Sequence, residues 1–302
     1  MDKIGLVTIT YNSEGVLQPF LDCVWKQQYK NFILYVVDNA STDKTLSILK
    51  RSNDSRIVVI KNKSNYGVAK ANNKGILKAI EEGCDQILII NNDVEFESTL
   101  IDTLIKTQKQ YQCSLVSPKM MYFNSPNSIW YAGSWFTKNK GYLPLHRGIN
   151  ELDRGQYDEV LEVDYAPTCC LLVKKQVFKD IGMMDEKYFV YFDDTDFSFR
   201  ILKDGRHKIV YCPYVKLFHK VGTLTKSFYK DLKSTYRGNF FIKQNTRNHI
   251  YFLKKVGGFF AYGFIIWLFF KNNGRFLIKS DIKKNFSTWW LINKSYFDGL
   301  KM

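Results

Sequence analysis

The sequence predicts an α/β protein: a mostly parallel, doubly wound sheet with helices on both faces, followed by a basic, aromatic, helical extension. Three observations predict it. Over the first 97 residues, short apolar runs alternate with amphipathic stretches in the order strand, helix, strand, helix, strand, helix, strand. One run, Gln86-Ile-Leu-Ile-Ile90, is unbroken in the manner of a parallel strand covered on both faces, and it stops at Asn91-Asn92-Asp93. Two earlier strands end in similar polar sets, Thr10-Tyr11-Asn12 and the stretch from Asp38 to Asp43. In a parallel sheet with right-handed crossovers such ends share one edge, where open α/β sheets bind ligands.

Each element has its own justification. Ile4–Thr10 is apolar and reads as the first strand. Ser13 then stands where it can cap a helix over Glu14–Gln28, whose Val16, Leu17, Phe20, Leu21, Val24 and Trp25 recur at helical spacing. Phe32–Val37 is the second strand, and Ser41 or Thr42 can cap a helix running through Lys50. Ile57–Ile60 is a short third strand, and after Asn65-Tyr66-Gly67 a helix runs from Val68 to Glu82. An amphipathic helix over Thr99–Gln110 leads to a strand at Ser114–Val116 and a turn at Pro118. The stretch Trp130–Trp135 clusters aromatics and glycine, suited to core packing or to stacking on a sugar ring. Gly141–Tyr157 is polar and weakly periodic, which predicts a mobile loop near the cleft. Ile209–Val215 is a further strand, with His219 beyond its end.

The chain has 302 residues, 45% of them hydrophobic, enough for one large α/β domain plus an appendage. Its six cysteines form no CxxC pair and no secreted-framework spacing, so they read as reduced, mostly buried thiols of a cytosolic protein; the adjacent Cys169-Cys170 fits a buried strand. Met1–Asn12 enters a strand almost at once and lacks the apolar core and cleavage site of a signal peptide. The expectation is a protein that stays inside the cell.

The strand ends carry Thr10 and Asn12, Asp38 and Asp43, Asn91 and Asp93, while GxGxxG and GxxxxGK are absent from these turns. A Rossmann dehydrogenase and a P-loop kinase are therefore disfavoured. A site built on carboxylates would grip base and ribose hydroxyls with Asp and hold phosphates through a divalent cation.

The motifs VTITYN, VVDNASTD, NYGVAKANNKGI, ILIINND and VFKDIGMMDEKYFVYFDDTDFSFR, taken in this order, resemble those of the family 2 inverting glycosyltransferases, in particular the rhamnosyltransferase-like branch. The resemblance spans about residues 4–220 and implies the GT-A fold and a nucleotide-diphosphate sugar donor. By that likeness Thr10, Tyr11 and Asn12 bracket the base, Asp38 reads base or ribose, and Asn65, Gly67 and Asn72 match the N-x-G segment along the nucleotide. Asn91-Asn92-Asp93 stands where the family has DxD, with Asn in place of the first carboxylate. Asp93 is left as the metal ligand for Mg²⁺ or Mn²⁺, and the amides of Asn91 and Asn92 can still bond a ribose hydroxyl. His219, in KLFHKVG, resembles the histidine that completes such a metal site.

Tyr188–Arg200 is the second centre. Asp193, Asp194 and Asp196 open a helix, where capping needs one carboxylate and three would repel unless a cation, dipole or proton shares the load. The segment resembles the family's ED-x-D motif with Asp in place of the leading Glu. The match implies Asp194 as general base on the acceptor hydroxyl, Asp193 as its support, and Arg200 paired with the cluster. A single displacement of this kind inverts the anomeric centre and needs no protein nucleophile.

The expected division is a catalytic domain over residues 1–222, with a nucleotide-sugar half (1–97) and an acceptor half (98–222), then a helical region over residues 223–302. Residues 200–302 carry 21 Lys and Arg against 4 Asp and Glu, while residues 1–199 carry 23 against 25. Such a basic region suits anionic lipid, a diphosphate-bearing acceptor or nucleic acid. Gly257–Phe270 is uncharged but too short for an ordinary transmembrane helix; with Trp267, Trp289, Trp290 and basic flanks it suits an interfacial helix on anionic lipid, or else one packed on the catalytic domain. YRGNFF…TRNHIYFLKK resembles the family's C-terminal helices, which implies Arg237 and Arg247 as diphosphate contacts.

The resulting expectation is sugar transfer, rhamnose being the first guess by resemblance, to a hydroxyl of a lipid-linked glycan in cell-surface polysaccharide synthesis. The enzyme would sit on the inner face of the cell membrane, nucleic acid would not be a partner, and a homodimer is left open. Two other classes compete. A sugar nucleotidyltransferase would need a Gly-rich basic loop after the first strand, which Thr10–Gly15 lacks. A non-catalytic nucleotide-sugar, membrane or nucleic-acid binding protein would leave three acids at 193–196 without purpose.

Overall fold

The computed structural model describes residues 2–52, 54–221, 238–278 and 286–302. Strands β1 (Ile4–Thr10), β2 (Phe32–Asp38) and β3 (Ile57–Lys61) alternate with helices α1 (Leu17–Trp25), α2 (Thr45–Ser52) and α3 (Val68–Glu81), and β4 (Gln86–Ile90) follows. Parallel pairing runs from β4 through β1 and β2 to β3. Every residue of β4 is buried, as its unbroken apolar run requires of a central strand.

The other half of the sheet is mixed. β5 (Val94–Phe96), α4 (Leu100–Gln110), β6 (Leu115–Tyr122), β7 (Ser125–Tyr131), β8 (Ser134–Thr137), β9 (Leu143–His146), β10 (Leu161–Val163) and β11 (Cys170–Lys174) precede α5 (Lys175–Ile181), α6 (Asp193–Asp204) and β12 (Ile209–His219). The strand order is β10-β12-β6-β11-β4-β1-β2-β3, with β5 on β12 and β7 on β6. β11 inserts antiparallel between β4 and β6, so the fold is the mostly parallel α/β sheet expected, with one reversed strand at its centre.

Four local expectations are corrected. Ser13 does not cap α1 with its side chain; its Oγ accepts from Tyr11 N and Asn92 Nδ2, and α1 begins only at Leu17. Ser41 and Thr42 bond Asp38 and Asn12, and Asp43 receives the Thr45 N–H at the start of α2. No turn interrupts β6 at Pro118. Its partner strand β12 is irregular between Cys212 and Lys216, opposite Pro118, where a missing N–H is tolerated.

Gly141–Tyr157 is an ordered segment. β9 pairs with β8, Ser128 bridges to Leu152, and the fully buried Lys119 of β6 holds Asp153 at 2.9 Å and Asp158 at 2.5 Å. A lysine fixed in the interior supplies an order that local polarity does not reveal.

Helices α7 (Asn239–Val256), α8 (Gly258–Ile278) and α9 (Phe286–Lys301) complete the described chain. Phe252 and Tyr251 of α7 pack with Tyr188 and Phe192, and Ile250, Leu253, Ala261, Ile265 and Tyr296 join the three helices. The expected boundary near residue 222 lies outside the described residues, as does Arg237.

Candidate active site

The C-terminal ends of β1 and β2 are bonded into one unit. Asp38, 1% exposed, accepts from Thr10 Oγ1 at 2.8 Å and from Ser41 Oγ at 2.6 Å. Asn12, in the left-handed region at φ 49°, accepts from Thr42 N and donates its own N–H to Ser41 Oγ. Tyr11 lies in the same turn, so the Thr10, Tyr11, Asn12 and Asp38 group is gathered at the expected edge.

Gly67 explains how the second centre reaches this edge. It caps α3 at φ 81°, and a Cβ there would lie 2.3 Å from the Phe189 carbonyl oxygen. Val68 N donates to that oxygen at 2.6 Å, while Asn65 Oδ1 accepts from Gly67 N at 3.0 Å. Only a residue without a side chain permits this approach. Asn72 is turned elsewhere: it is buried with Nδ2 3.8 Å from the Met184 sulfur.

The end of β4 divides its three polar residues. Asn92 is fully buried and donates Nδ2 to Ile9 O at 2.7 Å and to Ser13 Oγ at 3.0 Å, so it staples β4 to β1. Asn91 is partly exposed at the edge, and its N–H donates to Cys169 O. Asp93 faces His219, the last residue of β12, with Oδ1 3.5 Å from Nε2. Both residues are nearly buried, and Asp93 Oδ1 and His219 Nδ1 have no hydrogen-bond partner. Orphaned atoms of this kind are costly unless a ligand completes them. The Asp93 carboxylate oxygen and the His219 Nε2 that faces it would suit a divalent cation. Among the described residues no group of three or more His, Cys, Asp or Glu side chains is placed to hold a metal ion.

Asp194 lies close by. Trp130 packs its ring edge-on against both His219 and His146, with centroids at 4.7 and 5.0 Å. His146 stacks on Tyr165, whose hydroxyl donates to Asp194 Oδ2 at 2.7 Å. Burial lowers the His146 pKa, against the pull of the Trp130 carbonyl and the Asp194 charge. Burial pushes the Cys169 thiol well above its usual range, and the charges of Asp93 and Asp194 add to the shift, so both carboxylates lie within electrostatic reach of one buried sulfur.

The acids of α6 have separate environments. Asp194 is partly exposed and accepts from Thr195 N at 2.7 Å as well as from Tyr165; burial nevertheless raises its pKa above the usual carboxylate range. Asp193, 4% exposed, is raised further by burial and then by the charge of Asp194. Asp196 takes the cations: Arg200 Nε at 2.8 Å and Lys255 Nζ at 2.5 Å. Arg200 spends its remaining nitrogens on Ile181 O and Met183 O, so it secures the 181–196 segment from behind and does not meet Asp194.

Sequence reasoning missed Tyr165, His146, Asn248 and Lys255. Asn248 of α7 is fully buried and donates to Val190 O and Tyr191 O, both at 2.9 Å. Arg247 donates Nε to Asn248 Oδ1 and Nη2 to Gln244 Oε1, both on α7 itself. No local pattern marks these residues, because their partners lie at sequence separations of 15 to 70.

A family model described as glycosyl transferase family 2 matches residues 6–182. The chain is 27% identical over 220 residues to a dTDP-rhamnosyl transferase, RfbF of Shigella flexneri, covering 73% of this chain and 70% of that protein. It is 25% identical over 244 residues to the N-acetylglucosaminyl-diphospho-decaprenol L-rhamnosyltransferase of Mycobacterium tuberculosis, covering 72% and 76%. In fold it is similar to S. aureus TarS with UDP-GlcNAc (TM-score 0.63, 17% identity, 98% of this chain and 81% of that one). It is also similar to a Pyrobaculum calidifontis mannosyltransferase with GDP-Man and Mn²⁺ (TM-score 0.58, 13% identity, 99% and 87%). With the GT-A sheet and the gathered strand ends already described, the chain belongs to glycosyl transferase family 2 and is a glycosyltransferase.

Proposed function

We propose that this glycosyltransferase moves a sugar, rhamnose first among candidates, from a nucleoside diphosphate to a hydroxyl of a lipid-linked glycan, with inversion. Asp38, braced by Thr10 and Ser41, reads the base or ribose beside Tyr11 and Asn12; Asn65, Gly67 and Asn91 line the nucleotide. Asp93 and His219 hold Mg²⁺ or Mn²⁺, which when bound neutralises the diphosphate of the leaving group. Asp194 takes the proton of the acceptor hydroxyl as that oxygen attacks the anomeric carbon, and the carbon's bond to the diphosphate oxygen breaks. Tyr165 orients the carboxylate, and behind it lies buried Asp193, whose pKa burial and the Asp194 charge push well above the usual carboxylate range. Asn72, Asn92 and Arg200 hold the framework.

One observation carries this reading: Asp93, whose buried Oδ1 faces His219 without a hydrogen bond, and the Tyr165-bound Asp194 both lie within electrostatic reach of the same buried Cys169. The acceptor class and the rhamnose rest on the relatives' names.

The region beyond α7 has a membrane role in this proposal. No described helix is long and apolar enough to cross a membrane. Phe259, Tyr262, Ile266 and Phe270 nonetheless form an exposed stripe on α8, and Ala261 and Ile265 bury the opposite side. An apolar stripe on a basic region suits the anionic inner face of a cell membrane. Self-association through the stripe would appear instead as a change in oligomeric state.

Release of nucleoside diphosphate from a panel of sugar nucleotides, dTDP-rhamnose included, with a diphospholipid-linked glycan acceptor and with Mn²⁺ or chelator, tests the reading. Turnover with one donor, lost in Asp194→Asn while that donor still binds, is the expected result. Full turnover by Asp194→Asn would overturn the base assignment.

A further inference from the structure

We infer that Asn248 is a positioning residue for the reaction: from α7 it fixes the left-handed turn on which Asp194 is presented. The inference rests on the reading of Asp194 as the base. Tyr191 and Phe192, immediately before the helix that opens with Asp193 and Asp194, have φ of 65° and 69°. Two consecutive bulky residues in this region are strained, and such strain persists only where the surroundings over-determine it.

The surroundings are one face of α7. Asn248 donates both amide hydrogens, to Val190 O and Tyr191 O at 2.9 Å each, and accepts from Arg247 Nε at 3.0 Å. One turn further on, Tyr251 donates its hydroxyl to Asp185 at 2.8 Å and Phe252 packs on Phe192. Lys255 then reaches Asp185 at 2.8 Å and Asp196 at 2.5 Å. Residues 248, 251, 252 and 255 share a helical face, so α7 grips the 185–196 segment at both ends and at its strained middle.

The side-chain hydrogen bonds of Asn248 run to Val190, Tyr191 and Arg247. Its bonds go to the turn, whereas Asp38, Asp93 and His219 sit on the strand ends. Loosening the turn would displace the carboxylate relative to the acceptor hydroxyl, while the nucleotide segment stays held through the Val68 N–H to the Phe189 carbonyl, which Asn248 does not bond. An error of about 1 Å in such an alignment costs on the order of a hundredfold in rate.

The test is steady-state kinetics of Asn248→Asp, which keeps the size and removes both donors. The expected result is a kcat lower by about a hundredfold with KM for the sugar nucleotide within about twofold. Adding Tyr191→Gly, which accepts positive φ without strain, is expected to restore at least about tenfold of the loss. A role in packing alone predicts no such rescue, and its absence would overturn the inference, as would an unchanged kcat. Should Asn248→Asp fail to fold, Asn248→Ser, which keeps one donor, is read by the same split. Asp194→Asn run in parallel separates the two readings: if it is dead while Asn248→Asp turns over normally, only the positioning role falls. If Asp194→Asn is active, the base assignment itself falls.

Discussion

Asp193 and Asp194 are adjacent carboxylates with different surroundings, and the difference predicts opposite experiments. The Asp194 carboxylate must be unprotonated to accept a proton, so kcat should fall as pH drops through its burial-raised pKa. Tyr165 stabilises the charged form by donating to it; Tyr165→Phe should move the acid limb of the pH–kcat profile to higher pH. Asp193 has its pKa raised by burial and then by its neighbour's charge. A raised carboxyl pKa means stability that is full at low pH and lost as pH rises from the ordinary value through the raised one. Asp193→Asn should therefore raise the melting temperature at pH 7 by about 2–4 °C, the span that roughly 1 kcal/mol makes in a domain of this size, and the gain should vanish below about pH 4. Asp93→Ala or His219→Ala should weaken Mn²⁺-dependent binding of nucleoside diphosphate at least about tenfold in calorimetric titration and leave metal-free binding unchanged. The acids at 193–196 and the Asn-substituted DxD were legible as surplus polar groups beside apolar runs. Which acid is solvated, which is buried and which takes the cations was not, since Tyr165, Arg200 and Lys255 decide it from three directions.

At the scale of elements, the decisive contact is the N-terminus of α3 against the backbone of Phe189. Gly67→Ala would force a side chain into a carbonyl oxygen at 2.3 Å and into an unfavourable φ of 81°, so a loss of about 1–3 kcal/mol is expected, measured by denaturant unfolding. KM for the sugar nucleotide should rise as well, because the same joint aligns the nucleotide segment with α6. Helical and strand periods were readable wherever burial is one-sided or complete, as in α1, α3, α4 and β4. Periodicity misjudged β6 and the segment around β9. Pro118 is tolerated only because β12 is irregular opposite it, and the polar 141–157 segment is held by a buried lysine that it meets across the fold. Ser13, Ser41 and Thr42 had the chemistry of helix caps, and the tertiary structure used that chemistry to tie strand ends together.

At the scale of the whole molecule, charge and apolar surface are segregated toward the C-terminal helices. Phe259 is 97% exposed, Phe270 67% and Phe286 66%, on a part of the chain that carries nearly all the basic excess. The protein should float with anionic vesicles and not with zwitterionic ones. Raising salt from about 0.1 to 1 M should weaken that binding. Phe259→Asp combined with Phe270→Asp should release it without changing turnover on a soluble acceptor; retention on DNA with no vesicle binding would sink the membrane role.

From the sequence by itself came the alternation of strands and helices, the polar strand ends, and the order of motifs that names the family. These are local: apolar periodicity records which face is buried, and short motifs keep their chemistry wherever they fold. Only the tertiary structure decided that β11 runs against its neighbours, that Tyr165 reaches Asp194, and that α7 grips the turn before Asp194. The physical reason is that a buried polar group must find a partner, and nothing in its own stretch of chain says which distant residue will supply it.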